Sequence, residues 1–288
     1  MLKDTSFVQR FLFEELDIRG AVVQLNDAWR AMIQDRHYAA PVRTVLGEMA
    51  AITAIMTGNL KQPGRLTFQL QGHGPLNLLV VDCTETLNIR GYAKGDAVPE
   101  VAPLPAMVGD GRLLLTYEVN DQLQPYQSYV PIEGDTMAAV FEHYLALSEQ
   151  QPATLLLACN GDAAAGLFLQ KLPDADEKDA DGWARITQLA ATARPDELLT
   201  LDTETLLTRL FHEEHVRLFD ARPVTHHWPM DPEKVESMLL SLGRGEVEAI
   251  IAEHGVVEIH DDLSNHTYRY DADDVAALFA GHVPPTRH

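Results

Sequence analysis

Arg65-Leu-Thr-Phe-Gln-Leu-Gln71, Leu76-Asn-Leu-Leu-Val-Val-Asp82 and Thr86-Leu-Asn-Ile-Arg-Gly-Tyr-Ala-Lys94 follow one another with only short turns between them. Alternation with an apolar half marks strands, and short connections favour antiparallel pairing. Two further strands fit residues 112–119 and 126–130, the second ended by Pro131, which has no N–H to give a ladder. Thr154-Leu-Leu-Leu-Ala-Cys159 and Ala165-Gly-Leu-Phe-Leu-Gln-Lys-Leu172 supply two more. Upstream, residues 7–25 form an opening element that passes through Arg19-Gly20 into the strand Ala21-Val-Val-Gln-Leu25, and Asn26 then caps a helix. A second helix starts at Pro41 and carries Val42, Val45, Leu46, Met49, Ile52, Ile55 and Met56 with almost no charge after Glu48, so it must be deeply buried. Asp135 caps a third, with Met137, Val140, Phe141, Tyr144 and Leu145 as its buried stripe. The expected class is α+β, with a mixed α/β N-terminal body over residues 1–173 that is rich in antiparallel sheet.

Beyond the body the chain changes character. Asp174-Ala-Asp-Glu-Lys-Asp-Ala-Asp181 is acidic and nearly free of apolar residues, which reads as a solvated linker. Asp202 and Thr203 can cap a helix in which Leu206, Leu207, Leu210 and Phe211 share one face. The period then shortens to that of a strand through His215-Val216-Arg217-Leu218-Phe219. Residues 174–219 are thus an acidic and helical linker or hinge. The tail, residues 220–288, opens a helix at Asp231-Pro232 with Val235, Met238, Leu239 and Leu242 on one side. A short second helix follows, and then a hairpin: Gly255-Val-Val-Glu-Ile-His260 and His266-Thr-Tyr-Arg-Tyr270 flank the turn-rich Asp261-Asp-Leu-Ser-Asn265.

The formal charge of −21 opposes contact with phosphate backbones or anionic lipid, so neither nucleic acid nor membrane is an expected partner. The first residues show no secretion signal and no apolar run approaches a membrane span, which gives a cytoplasmic expectation. Cys83 and Cys159 lie far apart in strand-like runs and form neither a ligand pair nor a disulfide framework.

Motifs for catalysis are missing. The sequence has no phosphate-binding loop, nucleophile elbow or dinucleotide fingerprint. Gln69-Leu-Gln-Gly-His-Gly-Pro75 is glycine-rich but leads into a strand, and His73, a conceivable general base, has no carboxylate partner nearby in the chain. His212 and His215 are three apart, whereas the helical zinc motif needs four. Nine of the twelve histidines nevertheless fall at or after His212, among them His226, His227, His254, His260 and His266. They could bind a metal with carboxylates, or open the tail in acid if folding holds them neutral.

Taken together, the strands and tail resemble the heat shock protein 33 family. The resemblance rests on Arg19-Gly20, Gln69-Leu-Gln-Gly72 with Gly74-Pro75, Arg90-Gly91 with Ala93, Gly134-Asp135, and Ser148-Glu-Gln150 with Pro152. It continues through Ala164-Ala-Gly166, Gln170, Leu172-Pro173, Glu197-Leu-Leu199 and Leu210-Phe-His-Glu-Glu214. It covers nearly the whole chain, with local departures at Ser128 and Pro131. The resemblance implies a cytoplasmic holdase chaperone that needs no nucleotide. It would bind unfolding clients on apolar surface of body and hinge, release them to chaperones that use ATP, and form a homodimer on activation. Leu206, Leu207, Leu210 and Phe211 would be client-binding residues that are covered at rest.

The family usually carries Cys-x-Cys and then Cys-x-x-Cys in its tail, four thiolates that hold zinc and sense oxidants. In register, those positions are Trp228, Met230, Asp261 and Ser264. No thiol stands at any of them, so neither zinc nor a disulfide switch is expected, and no cofactor. Structural zinc supplies roughly 10–16 kcal/mol to a small domain, and burying Trp228 and Met230 returns about 1.5–3 kcal/mol each. The expected consequence is either a tail held by apolar packing and released by heat, or a loose tail and a constitutively active holdase. Two competing classes are an interaction protein with one dedicated partner, and a small-molecule-binding or hydrolytic protein built on His73 or the tail histidines.

Overall fold

The computed structural model describes residues 4–95, 102–120, 122 and 124–280, and the chain divides into two compact units between His227 and Trp228. The first unit begins with β1 (Phe7–Phe13) and β2 (Ile18–Leu25), then α1 (Asp27–Ile33) and the long α2 (Ala40–Gly58). Next come β3 (Gly64–Gln71), β4 (Leu76–Cys83), β5 (Ile89–Gly95), α3 (Leu104–Val108), β6 (Arg112–Val119), β7 (Tyr126–Val130) and α4 (Met137–Ser148). It ends with β8 (Ala153–Cys159), β9 (Ala164–Lys171), four short helices, α5 (Ala175–Lys178), α6 (Gly182–Ala190), α7 (Pro195–Thr200) and α8 (Thr203–Leu210), and two short strands, β10 (Val216–Leu218) and β11 (Arg222–Pro223). The class is α+β, as the sequence implies.

Two antiparallel sheets result. One has the order β5-β4-β3-β6-β7; the other has the order β10-β1-β2-β9-β8, with β11 also on β1. Helix α2 packs against strands of both sheets, which is why its sequence lacks a polar face: Leu46, Met49, Ala50, Ile52 and Ile55 are all at most 1% exposed. The main core gathers around it. Strands β1, β2 and β9 contribute to a second apolar cluster on their other face too, and β9 accordingly reads as a nearly continuous apolar run, Ala164-Ala-Gly-Leu-Phe-Leu169. On β2, Ala21, Val23 and Leu25 face the main core, while Ile18 and Val22 join a second cluster with Phe11, Phe13, Leu167 and Leu169.

Several expectations need correction. Residues 7–25 are a complete hairpin in which Phe7–Phe13 pairs in register with Ile18–Gln24. Asn26 occupies the first cap but spends its side chain on the Thr5 carbonyl, and the Ser6 hydroxyl takes the Asn26 and Ala28 N–H groups instead. Thr136, not Asp135, caps α4 by accepting from Ala139. Nor is the acidic stretch after Pro173 a solvated spacer. It holds α5 with Ala175 buried, and its charges pair locally and with the body, Lys171–Asp176 at 2.5 Å and Lys178–Asp17 at 3.4 Å. Residues 174–219 therefore belong to the same compact unit as the body, and the structural division lies eight residues beyond the expected boundary at 219/220.

The second unit contains α9 (Pro232–Leu242), α10 (Arg244–His254), the hairpin β12 (Val257–Asp261) and β13 (His266–Tyr270), and α11 (Ala272–Ala280), which the sequence reading leaves out. Asp231 caps α9 by accepting from Lys234. Its core is small: Val235, Leu239, Val247, Val257, Tyr268, Tyr270 and Val275. Met238 and Leu242, expected on the buried side of α9, are 44% and 47% exposed. No helix among the described residues is long and apolar enough to cross a membrane.

Candidate functional site

Helix α8 is set by its cap: Asp202 Oδ1 accepts from the Thr205 N–H at 2.9 Å. That start directs Leu206, Leu207 and Leu210 to one side, and Phe211 closes the helix. All four are at most 4% exposed. They lie on the second cluster, where the Phe211 ring meets Phe13 edge-on at 5.0 Å and Phe13 meets Phe11 at 5.6 Å. Ile186 of α6 and Leu198 of α7 complete the cover. The face read from helical spacing is thus one half of an apolar contact whose other half is the outer face of the sheet.

Polar contacts hold this cover from outside. Glu197, 6% exposed, receives Arg209 of α8 at 2.7 Å and Arg194 at 3.3 Å, joining α7 to α8. Arg185 of α6 bridges Asp179 at 2.9 Å and Glu214 at 2.8 Å. The chain then runs along β1, with Phe11 opposite Leu218 and Val8 opposite Arg222. The Arg222 guanidinium donates to the Gly58 and Glu85 carbonyls at 3.3 and 2.7 Å. Beyond it, Thr225 exchanges backbone bonds with Leu87 and Ile89, and His226 Nδ1 donates to the Ile89 carbonyl at 2.8 Å. Sequence spacing identifies the apolar residues, but not these ties, because their partners lie far away in the chain.

In the second unit the four positions that resemblance assigns to zinc hold a different construction. The Trp228 carbonyl accepts from His266 Nε2 at 2.5 Å, and Met230 is 51% exposed. Asp261 Oδ1 accepts from the Leu263 N–H, while Oδ2 accepts from the Ser264 hydroxyl at 2.5 Å. Tyr268 Oη accepts from the Asp231 N–H at 2.8 Å. A carboxylate already engaged within its own turn, a hydroxyl, a thioether and an indole do not form a zinc-thiolate donor set. Zinc does not fit here. Among the described residues no group of three histidine, cysteine or acidic side chains could hold a metal.

The remaining candidates resolve as follows. Cys83 and Cys159 sit in the first unit, and burial pushes both thiols up to about 12, which leaves almost no reactive thiolate at neutral pH. His73 does have a carboxylate partner, Asp110 at 2.7 Å, supplied by a turn 37 residues on. Its hydrogen bond holds the Asp110 carboxyl below the usual range. Both side chains stand in solvent, 87% and 77% exposed. His212 and His215 diverge to Glu213 and Glu15. His254 and His260 are surface side chains beside Glu253 and Asp262.

The family model described as Hsp33 protein matches residues 6–271. The 33 kDa chaperonin of Methylobacillus flagellatus is 40% identical over 278 residues, spanning 96% of this chain and 95% of that protein. That of Chromobacterium violaceum is 41% identical over 274 residues, spanning 94% and 93%. Among solved structures, the 33 kDa chaperonin (heat shock protein 33 homolog) of Thermotoga maritima shares the fold with a TM-score of 0.79 at 19% identity, covering 96% of this chain and 98% of that one. The match to the Hsp33 model and to 33 kDa chaperonins over nearly the whole chain defines a molecular chaperone. The chain belongs to the Hsp33 family.

Proposed function

We propose that the protein is an ATP-independent holdase whose latent client surface is the α8 face together with the outer face of the six-stranded sheet, and that thermal opening governs it, with no thiol or zinc switch. The observation that carries this reading is the second apolar cluster, in which Leu206, Leu207, Leu210 and Phe211 bury Phe11, Phe13 and Ile18. Its cover is labile. The helices that form it have 4, 9, 6 and 8 residues, all too short to persist without packing. Burying the four α8 residues contributes about 6–12 kcal/mol at 1.5–3 kcal/mol each, comparable with the whole margin of a folded domain. Opening exposes two complementary apolar surfaces at once. High negative charge keeps such a state dispersed.

The absence of thiols from the four tail positions, with the two body thiols held protonated, supports control independent of oxidants. In this reading the protein acts in the cytoplasm, captures unfolded or partly folded clients, passes them to ATP-dependent chaperones and pairs as a homodimer when open. The test is light scattering of a heat-denatured client at resting temperature, with reductant and chelator present. Suppression that begins only after the protein itself is warmed supports the thermal gate; suppression at rest overturns the gate and leaves a constitutive holdase. No suppression in either state defeats the proposal.

A further inference from the structure

A cleft of about 720 Å³ lies beside the start of α8 and is open while the α8 face is buried. That volume falls within the range of ligand sites, about 300–1,000 Å³. Its polar lining is rich in acceptors, with Asn160 the exception, since its oxygen takes the Asp162 and Ala163 N–H groups and leaves its NH2 to donate. Gln9, Gln24 and Asn26 each turn the amide nitrogen to a backbone carbonyl: Gln9 to Phe219, Gln24 to Leu198 and Leu201, Asn26 to Thr5. Only nitrogen can bond a carbonyl, so each amide keeps its oxygen as an acceptor, with one further N–H left on Gln9 and on Asn26 and none on Gln24. Asp162 and Glu204 add two carboxylates, while the third in the lining, Asp202, is taken up by the Thr205 N–H and hydroxyl. The single cation of the lining, Arg30, already donates to Asp4 and to the Asp162 carbonyl.

A second, independent observation concerns Thr203. It lines the same cleft at 3% exposure, and its hydroxyl is buried without a hydrogen-bond partner. Buried polar atoms are satisfied in the great majority of cases, so an orphan at a cleft wall marks a place where a ligand atom can bond. Phe7, Leu199 and Leu218 provide the apolar part of the lining. Acceptor oxygens and carboxylates next to apolar side chains complement a chain segment that carries ammonium or guanidinium donors beside apolar residues.

We infer that this cleft is a client subsite for an unfolded segment in which lysine or arginine neighbours apolar residues. The inference rests on the holdase reading and deepens it: the subsite engages a client before the α8 cover opens, and the apolar faces take the rest of the client afterwards.

Fluorescence anisotropy on the full-length protein at resting temperature tests it, with labelled peptides alternating leucine with lysine, serine or glutamate. The leucine–lysine peptide is expected to bind best. Glu204→Lys combined with Asp162→Lys weakens it about tenfold, the loss of two exposed charge contacts. Both side chains are exposed, so the variant folds. Glu246→Lys with Glu253→Lys, an equal charge change on the exposed surface of the second unit, leaves binding within twofold. Equal weakening by the two variants means attraction to net charge alone and overturns the inference, as does binding with no preference for lysine. Light scattering with the same samples separates the two failures. A parent that suppresses aggregation but binds the three peptides alike loses the subsite and keeps the holdase reading, whereas one that never suppresses aggregation loses the holdase reading.

Discussion

Glu48 sits on the central helix α2, and burial alone pushes its carboxyl from 4.5 up to about 7. The unfolded chain ionises this group near 4.5 and the folded chain only near 7. Its contribution to stability is therefore fully present below pH 4.5, declines as pH rises, and is gone above pH 7. At 1.36 kcal/mol per pH unit, the loss over that window is about 3 kcal/mol. Glu48→Gln keeps the shape and removes the titration. The variant is expected to match the parent near pH 4.5 and to exceed it by about 3 kcal/mol at pH 8, or roughly 6–12 °C in Tm for a unit of this size. Thermal unfolding at pH 4.5, 6, 7 and 8, followed by the fluorescence of the buried Trp29, measures it directly. A difference between variant and parent that stays constant with pH refutes the reasoning, because desolvation of a neutral amide and of a neutral carboxyl are nearly alike. The sign also matters for the gate: from this residue, mild alkali and not acid loosens the body.

Three further outcomes are expected. Leu210→Ala empties part of the covered cluster at a cost of about 2–5 kcal/mol and lowers the temperature at which client protection begins, by about 4–20 °C; an unchanged onset in the scattering assay argues against α8 as the cover. Gly20→Ala places a methyl group 2.2 Å from the Phe11 ring and destabilises the first unit by about 1–3 kcal/mol through overpacking, read as a lower denaturation midpoint. Adding a strong chelator and a reductant is expected to leave the unfolding curve of the whole chain unmoved; a chelator-dependent drop in Tm would expose a metal site.

Most strands were legible because their connections are short and marked by Gly, Pro or Asn, as at Gly72–Pro75. The β1–β2 turn carries no such mark. It runs through Glu14, Glu15, Leu16 and Asp17, and Asp17 itself adopts the left-handed conformation at φ 53°, which acidic residues tolerate at modest cost. The acidic run after Pro173 was misleading for a related reason. Composition shows charge, but not that Asp17 and Arg185 stand ready to pair with it. The α8 face announced itself through spacing, yet Phe11 and Phe13, the surface it covers, lie at the other end of the unit and share no local pattern with it. His73 illustrates the same limit, since its partner Asp110 arrives from a separate turn.

The pairing of β10 and β11 with β1 has a consequence for synthesis. The first strand of the unit is covered on its outer edge by the last strands of the same unit, which are synthesised after it. Until residue 211 has been made, Phe11 and Phe13 lack their lid, and until residue 223 has been made, one edge of β1 offers unpaired N–H and C=O groups to any neighbouring strand. Closure waits on contacts between distant parts of the chain, which are slow to form. During that interval a nascent chaperone has the same needs as its own clients.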